Sequence, residues 1–141
     1  MPIPINAVPF TQPLDPGDVL DYRAAFSQGP FDALPPPILL PNEDIASMAL
    51  ELTSEAIALG LKIVSGEFNG ATYPAPAIDD DNVLTFWLGV DPSFQSATAF
   101  LNTGTLLGID VTIRTSNVPP RIKNRTLVVR VRQIAGEGDQ L

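Results

Sequence analysis

Proline dominates the first part of this chain: ten of its 15 prolines lie among the first 41 residues. Proline fixes φ at about −65° and has no amide hydrogen to donate, so neither a helix nor a central strand can pass through prolines spaced this closely. Residues 1–16 are therefore predicted to form an extended arm, and residues 27–41 a stiff loop. The remainder is predicted to be one β-sandwich domain, residues 17–135, followed by a tail, residues 136–141.

The arm differs from an ordinary disordered tail because apolar residues alternate with its prolines. A segment that proline has already restricted loses little conformational entropy when it binds. Two interpretations stay open: the arm binds a neighbouring subunit, or it packs back on its own domain. The first predicts that deleting residues 1–14 leaves thermal unfolding nearly unchanged while weakening incorporation into an assembly. The predicted partner-binding residues are Ile3, Ile5, Val8, Phe10 and Leu14.

Several classes of chemistry are excluded by composition. The chain has no cysteine and no histidine, which rules out disulfides, cysteine-based zinc sites and any triad or general base built on histidine. We expect a protein that is not an enzyme, with no catalytic residue, no cofactor and no bound metal. We also expect no signal peptide and no membrane span, because no basic segment leads into an apolar run and no stretch approaches about 18 apolar residues.

The chain is acidic, but its charge is unevenly distributed. Its formal net charge is −8, which disfavours nucleic acid as a partner because such binding depends on lysine and arginine displacing counterions. Residues 1–113 hold 14 acidic and two basic residues, a net −12, whereas residues 114–141 hold two acidic and six basic residues, a net +4. The six bases either pair with acidic neighbours inside the domain or form a basic edge that meets a neighbouring subunit.

Alternation of apolar and polar residues predicts strands in the second half of the chain. Apolar residues occupy every second position at 82–89, 106–115 and 125–134, which is the period of a half-buried strand. A first strand is predicted at 18–26, and a short strand or bridge at 98–101. Short strands separated by turn residues indicate an all-β sandwich. The expected core is Val19, Leu50, Leu61, Ile63, Leu84, Phe86, Leu88, Ile109, Val111, Ile113, Leu127, Val129 and Val131.

Residues 42–64 fit two different structures. Asn42 is a suitable N-cap and good helix formers follow it, so propensity favours a helix. The apolar residues at 46–52 and at 57–63 also fall on alternate positions, which is typical of strands. The residues alone leave both structures open.

Two acidic clusters are candidates for a site. Residues 79–82, with the sequence DDDN, carry oxygen ligands of the kind that calcium prefers. Three consecutive acids cannot all face one ion, so we interpret the cluster as a solvated turn. Asp15, Asp18 and Asp21 are likewise interpreted as turn and solubility residues rather than as paired catalytic carboxylates.

Six short motifs follow one another along the chain. They are DPGDVLDY (15–22), DIAS (44–47), GLKI (60–63), LTFWLG (84–89), the segment 107–115 that ends in IRT, and RTLVVRV (125–131). Their order and spacing resemble a family of bacteriophage virion proteins, the fiber-tail adaptors. The resemblance covers about residues 15–132 and leaves out the arm and the loop at 27–41.

The resemblance implies an immunoglobulin-like β-sandwich of about seven strands, with strands rather than a helix at 44–52 and 57–63. It also implies a non-enzymatic virion protein, an adaptor that joins tail and fibers through protein–protein contacts. The expected partners are other virion proteins (tail, fiber or capsid subunits), with several copies in each particle and no nucleic acid or membrane. The expected location is the virion, assembled in the cytoplasm of the host bacterium.

Two other functions stay open at this point. A capsid decoration protein would have a similar fold and would differ in copy number, with hundreds per particle. A carbohydrate- or cell-surface-binding module would need exposed aromatic rings, for which Phe86, Trp87, Phe94 and Phe100 are the candidates. We expect Trp87 to be a core residue instead, because it lies within a predicted strand.

Overall fold

The computed structural model describes residues 8–26, 39, 43–79 and 81–134, and these form an all-β domain, as the sequence predicts. The strands are β1 (Val8–Pro9), β2 (Val19–Ala25), β3 (Ile45–Leu52), β4 (Leu61–Val64), β5 (Gly66–Phe68), β6 (Ala71–Tyr73), β7 (Ala77–Ile78), β8 (Val83–Val90), β9 (Thr105–Thr115) and β10 (Ile122–Val131). One short helix, α1 (Ser54–Ala58), and 3₁₀ turns at Pro92–Phe94 and Thr98–Phe100 lie between them.

The strands form two main sheets that share one apolar core. The first sheet has the order β1-β10-β9-β3, and the second has the order β2-β8-β4 with β7 also beside β8. The ladders are antiparallel except that β1 runs parallel to β10. Buried side chains of both sheets belong to a single cluster, so the two sheets stabilise each other by excluding water from their facing sides.

The alternation predicted for the last two strands is confirmed. Along β9 the side chains of Ile109, Val111 and Ile113 are buried, and the residues between them are exposed. β10 pairs with β9 from Ile122 to Val131, so the strand begins three residues earlier than predicted. The additional residues at the start of β10 are in the strand because the long β9 offers them hydrogen-bonding partners near Thr115.

Residues 42–64 contain both of the structures that the sequence allowed. The helix that propensity favours is wrong for Ile45–Leu52, which form β3 along β9. A helix does form, but only over Ser54–Ala58, where Thr53 is the N-cap and its hydroxyl accepts from the amide of Ala56. The strand expected at 57–63 is limited to Leu61–Val64. Tertiary pairing overrides propensity here because the edge of β9 offers a complete ladder.

The core contains most of the residues expected there. Of the 13 predicted positions, ten are buried, and Val19, Leu50 and Ile63 are partly buried. The short strand predicted at 98–101 is wrong: the segment is a 3₁₀ turn that places Phe100 fully inside the core. Further buried residues that the alternation did not reveal include Leu14, Phe26, Leu39 and Val90.

Trp87 is not the core residue that the sequence predicted. It is half-buried on the outer face of β8, where its ring lies 5.2 Å from that of Tyr73 at an angle of 49°. The β5–β6 hairpin covers this face, because a Cβ atom on Gly89 would meet the ring of Phe68 at 3.1 Å. The hairpin and the outer face of β8 thus partly bury a second, smaller group of aromatic side chains.

Asn82 ties the start of β8 to the start of β3. Its Oδ1 accepts from the amide of Ile45 at 3.0 Å, and its Nδ2 donates to the carboxylate of Asp44 at 3.1 Å. Its φ of 62° is left-handed, a conformation that asparagine tolerates better than most residues. One side chain therefore connects the two sheets.

We expect Asn82→Ala to lower the free energy of unfolding by about 2–3 kcal/mol, because the partly buried amide of Ile45 loses its acceptor. Asn69→Ala is the matched control: Asn69 also has a left-handed φ, of 50°, but it is exposed on the hairpin. The control should lose about 1 kcal/mol at most. Equal losses in urea denaturation of the two variants would contradict the bridging role of Asn82.

Candidate functional site

The N-terminal strand lies along the last strand of the chain. The amide of Phe10 donates to the carbonyl of Val128 at 2.8 Å, and that of Leu14 donates to the carbonyl of Arg130 at 2.9 Å. The carbonyl of Leu14 in turn accepts from the amide of Arg132 at 3.0 Å. Residues 8–14 are therefore an edge of the first sheet.

The five predicted partner-binding residues do not share one environment. Ile3 and Ile5 lie outside the described residues, and Val8 is in β1. The side chain of Leu14 is fully buried in the core, and the ring of Phe10 lies 4.9 Å from that of Tyr22. For Phe10 and Leu14 the structure therefore favours packing on their own domain. The docking interpretation assumed that these side chains could not be buried on the sandwich itself. The space beside β10 accommodates them.

Proline defines the outer side of this N-terminal edge. Backbone groups alternate in direction along a strand, and Phe10 and Leu14 direct theirs toward β10. Within β1, Pro9 takes the alternate position and directs outward a nitrogen that has no hydrogen. An outward-facing proline opposes the addition of a further strand beside β1.

β3 forms the opposite edge of the same sheet. The backbone amide of Thr53 donates to the carbonyl of Gly108 at 3.1 Å. Because backbone groups alternate in direction along an antiparallel ladder, those of the odd-numbered residues of β3 point toward β9. The backbone groups of Met48 and Leu50 point away from the sheet, where no strand of the described residues pairs with them. The strand contains no proline, and Glu51 is its only charged residue. β3 is thus an edge that can accept another strand.

The half of the β10 edge that lies beyond β1 carries charged side chains. β1 and Leu14 lie beside residues 127–131, and no strand of the described part of the chain pairs with that side of residues 122–126. Lys123 and Arg125 there share the core-facing side with the apolar residues opposite them on β9. An inward-pointing charge on an edge strand disfavours addition of another strand.

Exposed apolar side chains are concentrated at one end of the two sheets. Here β3, β8 and β10 end. The helix α1 follows β3, and the two 3₁₀ turns lie between β8 and β9. Within the described residues, five of the seven large apolar side chains with high exposure lie at this end, and they are Ile57, Phe94, Leu101, Leu106 and Ile134. Such a concentration is typical of a surface that contacts another protein.

The acidic residues singled out in the sequence serve as turn caps. The carboxylate of Asp15 accepts from the amides of Gly17 at 2.8 Å and Ile134 at 2.6 Å, so it joins the start of β2 to the end of the described chain. The carboxylate of Asp79 accepts from the amides of Asp81 at 2.9 Å and Val83 at 3.0 Å. Asp15 and Asp79 therefore act as turn-capping residues, one in each cluster.

Asp91 caps another turn in the same way. Its carboxylate accepts from the amide of Ser93 at 3.0 Å and from its hydroxyl at 2.7 Å. These hydrogen bonds, with the nearby Lys62 ammonium at 3.5 Å, hold the pKa of Asp91 below its ordinary value. Asp91 is therefore an ionised capping group.

The basic residues near the C-terminus form two kinds of contact. Arg121 pairs with the buried carboxylate of Glu43 at 2.7 Å, which is the internal pairing that the sequence allowed. Arg130 and Arg132 instead donate to the carbonyls of Thr103 and Asn102 and so hold the loop before β9. Internal pairing with an acidic residue is therefore observed for Arg121, whereas Arg130 and Arg132 donate to backbone carbonyls of a loop.

Tyr22 connects the N-terminal strand to the core. Its phenol donates to the carbonyl of Gln12 at 3.2 Å, and its ring stacks near Phe86. Burial first, and then the carboxylates of Asp18 and Asp21, raise the pKa of Tyr22 above its ordinary value of 10.0. The protonated phenol is therefore favoured in the folded state.

This shift predicts a specific loss of stability at alkaline pH. A group whose folded pKa is raised contributes stability that is complete below the unfolded pKa and is lost as pH rises toward the folded pKa. Above pH 10 the free energy of unfolding should fall by up to about 1.4 kcal/mol per pH unit through Tyr22. Tyr22→Phe should show a shallower decline in urea denaturation between pH 9 and 12. Parallel declines in the two proteins would exclude the phenol as the cause.

The described residues show neither a metal-binding cluster nor a membrane-spanning helix. Among them, no three acidic, histidine or cysteine side chains come together where they could hold a metal ion. None of their helices has the length and apolar character needed to cross a membrane. Comparison with known proteins gives no match, whether to a family model, a curated protein or a solved structure.

Proposed function

We propose that this protein is a non-enzymatic structural component of a bacteriophage virion, an adaptor that joins tail and fibers. We further propose that its domain is an immunoglobulin-like β-sandwich. The proposal starts from the six ordered motifs between residues 15 and 132, which resemble the fiber-tail adaptors.

The strand order is the observation that carries the immunoglobulin-like part of this proposal. Immunoglobulin-like sandwiches place strands B, E and D in one sheet and strands C, F and G in the other. In this chain β2, β8 and β4 are adjacent in that order in one sheet, and β3, β9 and β10 are adjacent in the other. Assigned in chain order, β2, β3, β4, β8, β9 and β10 correspond to B, C, D, E, F and G. β1 differs from the constant-type arrangement, because it lies beside β10 rather than beside β2.

Two further observations support the proposal. The strand at Ile45–Leu52 agrees with the resemblance and not with the helix propensity of the segment. The acidic groups that could suggest an active site are bound to backbone amides in turns, as Asp15 and Asp79 are. The first observation supports the fold that the resemblance implies, and the second favours a scaffold that works through contacts rather than through chemistry.

The number of copies in a purified particle tests the proposal. Quantitative mass spectrometry against the major capsid protein should find a few to about a dozen copies, since adaptors sit at an axis of rotational symmetry. A map of the particle should place the chain between tail and fiber subunits. Hundreds of copies on the shell would replace the proposal with a capsid decoration protein. Absence from particles, together with binding on a glycan array, would replace it with a carbohydrate-binding module.

A further inference from the structure

We propose that the β3 edge of one copy pairs antiparallel with the β3 edge of a second copy, about a two-fold axis that passes beside Ala49. The four-stranded sheets of the two copies then form one continuous sheet. The inference concerns association of this chain with itself, and it goes beyond the proposed place in a virion.

The outward direction of the Met48 and Leu50 backbone groups is supported by the pairing on the far side of β9. There the amide of Thr115 donates to the carbonyl of Arg121 at 3.0 Å, just before β10 begins. The odd-numbered residues of β9 therefore face β10, and its even-numbered residues face β3. These even-numbered residues are opposite the odd-numbered ones of β3, in a register that is regular over residues 47–52. The even-numbered groups of β3 consequently point away from the sheet.

The β3 edge is complementary to itself. When Ala49 of the two copies is opposed, Met48 of each copy lies opposite Leu50 of the other, and each such pair exchanges both of its backbone hydrogen bonds. The side chains of Met48 and Leu50 face the core but are only partly buried, because β3 has a neighbour on one side. The second copy adds to their burial. Since both copies use the same edge, association ends at a two-fold dimer, the commonest symmetry of homo-oligomers.

The exposed face of the sheet carries an unbalanced charge at each end of β3. At one end Glu51 lies directly opposite Asp110 of β9, and like charges in this position destabilise a sheet. At the other end the exposed Arg114 lies opposite Ser47. Neither Glu51 nor Arg114 forms an ion pair with another residue of the described chain. One copy thus leaves an acidic end and a basic end unmatched.

Antiparallel pairing brings the unmatched ends of two copies together. With Ala49 on the axis, Glu51 lies opposite Ser47 of the second copy, and Arg114 of that copy is on the next strand. The Cα atoms of Glu51 and Arg114 are then about 10 Å apart, which is two interstrand spacings. An arginine and a glutamate side chain together span this distance across the small serine. A register that opposes Leu50 with itself brings the two Glu51 side chains closer, so charge favours the register centred on Ala49.

Association of the full-length protein is the first test. Sedimentation of the wild type at rising concentration should show a reversible dimer. Ala49→Glu places a carboxylate on each side of the axis and should lower the association constant about tenfold or more. Thr112→Glu is the matched control, since Thr112 is exposed on the same face beside Ala49 but lies one strand further from the axis. A wild type that stays monomeric at millimolar concentration would overturn the proposal, as would equal association of the two variants.

Exchanging the charges tests the register. Glu51→Arg and Arg114→Glu each place like charges at both contacts of the dimer, and each should weaken association about three- to tenfold. The double variant restores opposite charges and should associate within about twofold of the wild type. A double variant as weak as the single variants would contradict the pairing of these two residues.

Cross-linking tests the position of the axis. The chain has no cysteine, and directly opposed residues outside a hydrogen-bonded pair have Cα atoms about 4.5 Å apart, within reach of a disulfide. Ala49→Cys should therefore give a linked homodimer under mild oxidation, whereas Thr112→Cys should not. Equal cross-linking of the two variants, or none through Ala49→Cys, would contradict the proposed dimer. These tests use purified protein, so they can fail while the virion proposal stands, and the reverse also holds.

Discussion

Replacing Leu14 by alanine should lower the free energy of unfolding by about 3 kcal/mol. The side chain is fully buried although it lies among prolines, and its removal leaves a cavity that the surrounding strands can fill only in part. The loss should appear in urea denaturation followed through Trp87, the single tryptophan of the chain. A loss below about 1 kcal/mol would mean that this segment is not part of the core.

Thr11→Ala provides the control for Leu14, since Thr11 lies in the same segment and is exposed. It should change stability by no more than about 0.5 kcal/mol. The structure also reverses what the docking interpretation predicts for deletion of residues 1–14, because that deletion removes Leu14 and the β1 ladder from the domain.

Replacing Gly104 by alanine should be at least as damaging, with a loss of about 3–4 kcal/mol. Gly104 has a left-handed φ of 72°, which costs about 1–2 kcal/mol for a residue with a side chain. The added Cβ would also overlap the carbonyl oxygen of Val131 and lie 2.8 Å from the Cα of Arg132. Because these are backbone atoms of the end of β10, the loop and the strand must move apart.

Gly70→Ala separates the conformational cost of a left-handed φ from the steric overlap that Gly104→Ala adds to it. Gly70 has a similar φ of 85°, but a Cβ there meets no atom within 4 Å. This variant should lose only the conformational cost, about 1–2 kcal/mol. Thermal unfolding of both variants measures the difference, which should exceed roughly 5 °C in melting temperature. Equal melting temperatures would show that the loop before β9 can yield without strain.

The parts of the fold that could be predicted are those with a local signal. Period-two alternation correctly predicts β8, β9 and β10, because one face of each strand is buried over most of its length. The segment at 42–64 shows where local signals compete. Its helix propensity is satisfied in one turn at Ser54–Ala58, while pairing with β9 determines the longer part, Ile45–Leu52.

The remaining features depend on contacts between distant residues. Nothing near Leu14 in the sequence indicates burial, because the space that it fills is formed by β10. Phe100 is buried by a 3₁₀ turn that has no periodic pattern. The open edge at β3 could have been suspected from its lack of proline and lysine, but its position in the sheet required the topology.

The pairing of the N-terminal strand with β10 also affects when the chain can fold. Leu14 meets Val131, a residue 117 positions later in the sequence. At a synthesis rate of about 5–20 residues per second, its partner emerges roughly 6–24 s after it, and later still by the length of the ribosomal tunnel. Contacts this distant in sequence are typical of domains that fold slowly. The apolar N-terminal segment therefore spends most of translation without its partner strand. Prolines disfavour aggregation of edge strands, so those of this segment protect the nascent chain before the folded sheet has formed.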